Sequence, residues 1–262
     1  MQFMSSIDHY ENFPVASWMC PATLRPAVQA LYQFARTADD LADEGHDPAH
    51  HRLDDLGQYR ADLESCLRNT TTPSLRWPQV FGQLQLAVQK HQLPAQPLFE
   101  LLDAFEQDVV YTSVGQGYRS RTELLDYCRR SANPVGRLML HLYGVNDDAS
   151  LAQSDAICTA LQLINFWQDR GEDLRRGRDY LPQGHTLQEE LRFARDLMHH
   201  GAPLARRVRG RAGWELRAVV QGGLCILDKL DARPEPTDHA QLARPALNKL
   251  DFVSILWRCV RM

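Results

Sequence analysis

The stretch Leu161–Pro182, LQLINFWQDRGEDLRRGRDYLP, constrains this chain more than any other because it puts acids into a segment that ought to be buried. Leu161, Leu163, Ile164, Phe166 and Trp167 occupy most sides of a helix, and a helix apolar nearly all round belongs inside a protein. At 3.6 residues per turn, Gln162, Asn165, Asp169 and Asp173 still share one sector of roughly 80°. An uncompensated carboxylate in such a place has to be neutralised, ion-paired or bound to a metal.

The pattern recurs far upstream, in LYQFARTADDLADEG at Leu31–Gly45. Here Tyr32, Arg36, Asp39 and Asp43 fall within roughly 60° of one another. They border an apolar face made by Leu24, Val28, Leu31, Ala35 and Ala42, rather than lying opposite it. Like charges at i,i+4, as in Asp39/Asp43, repel by about 0.2–0.5 kcal/mol on an isolated helix. Ion pairs from Arg36, Arg170 or Arg175 are one way to offset the acids. Recurrence of D-x-x-x-D on two distant helices points to another, a shared cation. Carboxylate oxygens with room for water suit Mg²⁺ that also touches phosphate oxygens better than they suit zinc. The implied ligand is a diphosphate, with Arg36, Arg178 and Tyr180 placed to hold its oxygens. A diphosphate beside a greasy helical interior suggests ionisation of an allylic diphosphate, the carbocation being kept from water by apolar walls. Phe13, Phe34, Phe105, Tyr111, Phe166 and Trp167 are candidate wall residues.

Other chemistries find no support. G-x-x-x-x-G-K-[ST] and G-x-S-x-G are both absent. A formal charge of −4 over 262 residues argues against a nucleic-acid partner, and the Arg206–Arg211 cluster reads as a solvated face. The six cysteines form no C-x-x-C pair and read as reduced core thiols. No leader pattern and no membrane-spanning apolar run is present, so a cytoplasmic protein is expected, with peripheral contact at the inner face of a membrane left open.

Helical periodicity predicts an all-α, single-domain chain over 1–262, with helices at Ala22–Ala42, Ala49–Arg68, Gln79–His91, Gln96–Tyr111, Thr122–Leu142, Leu151–Asp173, Leu187–His199, Pro203–Leu230 and Gln241–Arg261. Pro134 should kink the fifth of these near Ser131 and Ala132.

With those residues in place, the chain resembles the squalene/phytoene synthase family. The resemblance runs from HYENFPVAS (His9–Ser17) through YQFARTADDLADE, YCRRSANPVGRLMLHLYG (Tyr127–Gly144) and LQLINFWQDRGEDLRRGRDYLP to RPALNKLDFVSILWR (Arg244–Arg258). It implies an isoprenoid synthase helical bundle around a central cavity. It also implies Mg²⁺ and diphosphate held by Asp39, Asp40 and Asp43 on one helix and Asn165, Asp169 and Asp173 on the facing one. YENFPVAS, CRRSANPVGR and NFWQD are similar to the bacterial hopanoid-pathway branch of hydroxysqualene synthases. That branch implies conversion of presqualene diphosphate and water to hydroxysqualene and diphosphate, alongside a presqualene diphosphate synthase and a hydroxysqualene reductase. Asn133 is expected to place a water or the diphosphate, and His9 to contact the diphosphate. Arg170-Gly171-Glu172-Asp173-Leu174 reads more like the wider family than the branch, which leaves head-to-head condensation of two farnesyl diphosphates, or a phytoene-type reaction, open. A separate alternative is a non-catalytic member that serves as a partner-binding module, against which the intact acids on both helices argue.

Overall fold

Pro134 has no amide hydrogen to close a helical turn, and the helix predicted over Thr122–Leu142 breaks in front of it. In the computed structural model, which describes residues 20–43, 47–233 and 244–262, α5 (Arg121–Ser131) ends at Ala132, and α6 (Asn133–Leu142) starts with the proline in its first turn. The described residues form helices with no strand: α1 (Arg25–Asp43), α2 (Ala49–Leu67), α3 (Pro78–His91), α4 (Gln96–Val114), α5 and α6, then α7 (Asp148–Arg175), α8 (Leu187–Gly201), α9 (Leu204–Arg207), α10 (Gly210–Asp231) and α11 (Lys249–Arg261). The all-α expectation holds. The helix expected over Pro203–Leu230 is two, separated by extended backbone at Val208 and Arg209. Helix starts follow local chemistry: Ser120, Asp147, Thr186 and Asn248 each accept a backbone N–H of the first turn of α5, α7, α8 and α11.

Two apolar cores organise the bundle. The first is built on α1–α4 around Phe34, Tyr59 and Phe81, rings 4.7–6.2 Å apart, with the Tyr59 hydroxyl donating to the Phe34 carbonyl at 3.0 Å. The second gathers α5, α7, α8 and α10 around Leu163, Ile164, Met198 and Leu227. Helix α6 belongs to both, giving Leu138 to the first and Leu140 to the second. A cavity opens between the cores, lined by α1, α4, α6 and α7. Phe34, expected as a wall residue, lies instead inside the first core with no exposed surface.

Close approach of α6 and α7 behind this cavity depends on Gly136, where an added Cβ would lie 2.5 Å from the Cys158 sulfur and clash with Ser154 as well. An alanine normally favours a helix over glycine by about 1 kcal/mol. Here overpacking, typically about 1–3 kcal/mol, should outweigh that gain, so Gly136→Ala is expected to lower the denaturant midpoint. A raised midpoint would show that the two helices separate freely.

Candidate active site

The acids of α1 and α7 sit in the last turns of their helices. That is the negative end of the helix dipole, which repels carboxylates and attracts cations. Helix stability cannot have selected this placement, and the side chains show how it is tolerated. Arg36 reaches Asp39 at 3.0 Å and Asp40 at 2.7 Å. Arg178, just beyond α7, binds both carboxylate oxygens of Asp43 at 2.6 and 3.1 Å and so ties the end of α1 to the chain leaving α7. Arg244 holds Asp169 at 3.0 Å. Among the described residues, Arg170 approaches Asp179 at 3.9 Å, and the Arg175 Nε donates to the Gly171 carbonyl of its own helix.

Of these groups Arg36, Asp39, Asp169 and Arg244 line one cavity of about 480 Å³, whereas Asp40, Asp43, Asp173 and Arg178 are not among its lining residues. Tyr32, Arg36 and Asp39 line it from α1, Gln162, Asn165 and Asp169 from α7, and Arg244 closes the rim. Its body is apolar, with Leu31, Leu101, Phe105, Val135, Leu138 and Met139 among the walls. The acids are not sealed in: Asp39 and Asp169 keep 41 % and 31 % of their side-chain surface exposed. The expectation of acid rows in a dry interior is therefore corrected to paired acids at the polar mouth of an apolar cavity.

Three carboxyls lie where charge is costly. Burial raises Asp173 from 3.8 to about 7, with Asp169 adding repulsion and Arg178 opposing it. Burial likewise raises Asp169, against the attraction of Arg244. Asp108 on α4 is pushed up to about 7, chiefly by burial, although the Tyr127 hydroxyl donates to it at 2.6 Å. Burial disfavours the charge on Arg178, yet the Asp43 carboxylate holds its pKa above the ordinary guanidinium value.

Other expected site residues stand apart from the cavity. Tyr180 stacks on Phe166, ring centres 3.8 Å apart and nearly parallel, in an aromatic cluster with Tyr118 and Tyr127. Phe166 and Trp167 are core, and Tyr111 donates to Glu123 at 2.8 Å, so Phe105 alone of the described candidate wall residues lines the cavity. Asn133 is buried, and its side-chain oxygen accepts from the Thr159 hydroxyl at 2.9 Å, bracing α6 against α7 rather than facing the cavity. His9 and Phe13 lie outside the described residues. Sequence reasoning did not single out Arg244, Asp108 or Tyr127; the only local signal was that Tyr127 and Arg244 each open a stretch quoted for the family resemblance.

The donor set fits a hard divalent cation in type, and a cation beside Asp173 would relieve the charge that burial and Asp169 disfavour there. Among the described residues, however, no three His, Cys, Asp or Glu side chains converge into a ready chelate. Oxygens from a ligand would have to complete the coordination.

The squalene/phytoene synthase family model matches residues 8–250. Hydroxysqualene synthase of Zymomonas mobilis is 40 % identical over 177 residues, covering 66 % of this chain and 54 % of that protein. Hydroxysqualene synthase of Rhodopseudomonas palustris is 38 % identical over 174 residues, covering 66 % and 55 %. The crystal structure of squalene synthase HpnC from Alicyclobacillus acidocaldarius superposes with a TM-score of 0.73 at 34 % identity, covering 85 % of this chain and 89 % of that one. The chain belongs to the squalene/phytoene synthase family and has its all-α isoprenoid synthase fold. It spans about half the length of the curated relatives it matches.

The raised carboxyl of Asp173 fixes a pH dependence. The unfolded chain releases this proton near 3.8 and the folded chain near 7, so Asp173 lowers stability progressively as pH rises through that window. Asp173→Asn should therefore raise the melting temperature of the ligand-free protein at about pH 8 and leave it nearly unchanged at about pH 4. An equal shift at both would contradict the cause assigned.

Proposed function

We propose that the chain binds a prenyl diphosphate with Mg²⁺, releases inorganic diphosphate, and converts presqualene diphosphate and water to hydroxysqualene. The observation that carries the reading is the meeting, at one largely apolar cavity, of Arg36 and Asp39 from α1, Asn165 and Asp169 from α7, and Arg244. The relatives named hydroxysqualene synthase support the particular reaction.

On this reading Asp39, Asp40 and Asp43 face Asn165, Asp169 and Asp173 across the diphosphate and would hold the metal there. A bound divalent cation would neutralise charge on the departing diphosphate. With a cation held by the acids, Arg36, Arg178 and Arg244 would make charge-assisted hydrogen bonds to phosphate oxygens. Departure of diphosphate breaks a carbon–oxygen bond, and the cyclopropane of the substrate opens into an allylic cation. The aliphatic walls Leu31, Leu101, Val135 and Leu138 offer the cation no lone pair. Water adds at the cation, forming the new carbon–oxygen bond and releasing one proton. The chemistry places this step after an enzyme that condenses two farnesyl diphosphates and before a reductase that removes the hydroxyl.

Purified protein given presqualene diphosphate and Mg²⁺ is expected to yield hydroxysqualene whether or not a nicotinamide cofactor is added. Product from farnesyl diphosphate alone would assign condensation instead, and no diphosphate release from any prenyl substrate would assign the non-catalytic role. Asp39→Ala and Asp169→Ala should each cut turnover by about 10²–10³-fold with fold retained, as removal of a main electrostatic stabiliser does. Undiminished turnover in either variant would remove that acid row from the mechanism.

A further inference from the structure

Helix α11 exposes the wrong side chains for water. Leu250, Phe252, Val253, Leu256, Trp257 and Val260 are 57–80 % exposed, while only Ile255 and Cys259 are buried. At 3.6 residues per turn the six span a continuous arc of roughly 160°, so they form one face. Scattered apolar residues on a surface need no explanation, but a contiguous face of this kind marks an interaction site.

Its surroundings identify the occupant. Arg258 and Arg261 edge the face, and Arg261 stacks over Trp257 at 3.6 Å. The C-terminal end of α11 lies against the exposed Arg206–Arg211 cluster: the Arg206 side chain donates to the Met262 carbonyl, and Arg217 donates to the Cys259 carbonyl at 3.4 Å. Half-exposed Trp214 lies beneath the same Arg217, 4.7 Å away. The nearby acids are occupied: Asp228 pairs with Arg195 and Arg258, Asp251 with Lys229, and Asp147 with Arg207. A chain of net charge −4 has thus placed an apolar, tryptophan-bearing face beside arginines. That combination suits an anionic lipid surface, where apolar side chains enter the acyl boundary and arginines meet headgroup phosphates.

We infer that α11 and the Arg206–Arg211 segment form a docking face for an anionic bilayer, on which the helix lies flat. No helix among the described residues is long and apolar enough to cross a membrane, so the contact is interfacial. The same stretch of chain leads inward: immediately before α11, the Pro245 carbonyl accepts from Gln168 at 2.8 Å and Arg244 grips Asp169 at the cavity rim. The docked helix and the catalytic mouth are therefore joined by a few residues. Delivery of a lipid-soluble substrate or product along this route rests on the reaction proposed above; the docking itself does not.

The test is co-sedimentation of the full chain with vesicles of phosphatidylcholine alone or with phosphatidylglycerol added, in the absence of any prenyl substrate. Binding to the anionic vesicles is expected, weaker binding to the neutral ones, and a decline with added salt. Leu256→Glu combined with Trp257→Glu should reduce binding by about tenfold or more, and Arg209→Glu with Arg211→Glu should do so on anionic vesicles only. Both pairs are exposed, so circular dichroism and melting temperature should match the parent protein. Failure to bind either vesicle, or unaltered binding by the Leu256/Trp257 variant, would overturn the inference. So would sedimentation velocity showing a dimer that this variant dissolves without vesicle binding, since the face would then join copies. Vesicle binding without hydroxysqualene formation would sink the reaction and leave the docking face standing.

Discussion

Everything at the mouth of the cavity depends on carboxylates gathered at the carbonyl ends of two helices. Dipole, mutual repulsion and partial burial all disfavour them there. The protein offsets this with arginines drawn from three places: Arg36 on the same helix, Arg178 just past α7 and Arg244 just before α11. The Arg178–Asp43 and Arg244–Asp169 contacts also join segments remote in sequence, so charge compensation and the shape of the site come from the same bonds. Such pairs are poised rather than permanent. Their acids keep 31–41 % of their side-chain surface in contact with solvent, where an ion pair contributes little net stability and is readily exchanged.

The apolar half of the site follows from how the two cores are joined. Helix α6 serves both, and the break at Ala132 lets it turn from α5 and pass close to α7 at Gly136. The space left between α1, α4, α6 and α7 is walled mainly by apolar side chains and carries Arg36, Asp39, Asp169 and Arg244 as its charged lining. A molecule with a long hydrocarbon body and a charged head fits that gradient, which agrees with membership of a family of prenyl diphosphate enzymes.

Much of this was legible in the sequence because helical periodicity places side chains on faces without tertiary information. The sectors holding Tyr32, Arg36 and Asp39, and Gln162, Asn165 and Asp169, do meet at one cavity, and Pro134 does interrupt its helix. What periodicity cannot supply is which core a face joins. Phe34 and Phe166 look alike in the chain, and both went to packing, while Phe105 went to the cavity. Nor can it supply partners brought in by the turn of the chain. Arg244 precedes a helix far from either acid motif, and Asp108 and Tyr127 meet only when α4 and α5 pack. The acids were expected to be drier than they are because a helix wheel does not show that the end of α7 runs out to the cavity mouth.

The central claim is that the arginines compensate the acids until a cation and a diphosphate arrive together. Calorimetric titration of Mg²⁺ into the protein, with and without inorganic diphosphate, tests it most directly. Weak or undetectable uptake of Mg²⁺ alone and clear uptake with diphosphate present is the expected result, because no ready chelate exists among the described side chains. Tight Mg²⁺ binding without diphosphate, or diphosphate binding unaffected by Mg²⁺, would contradict it.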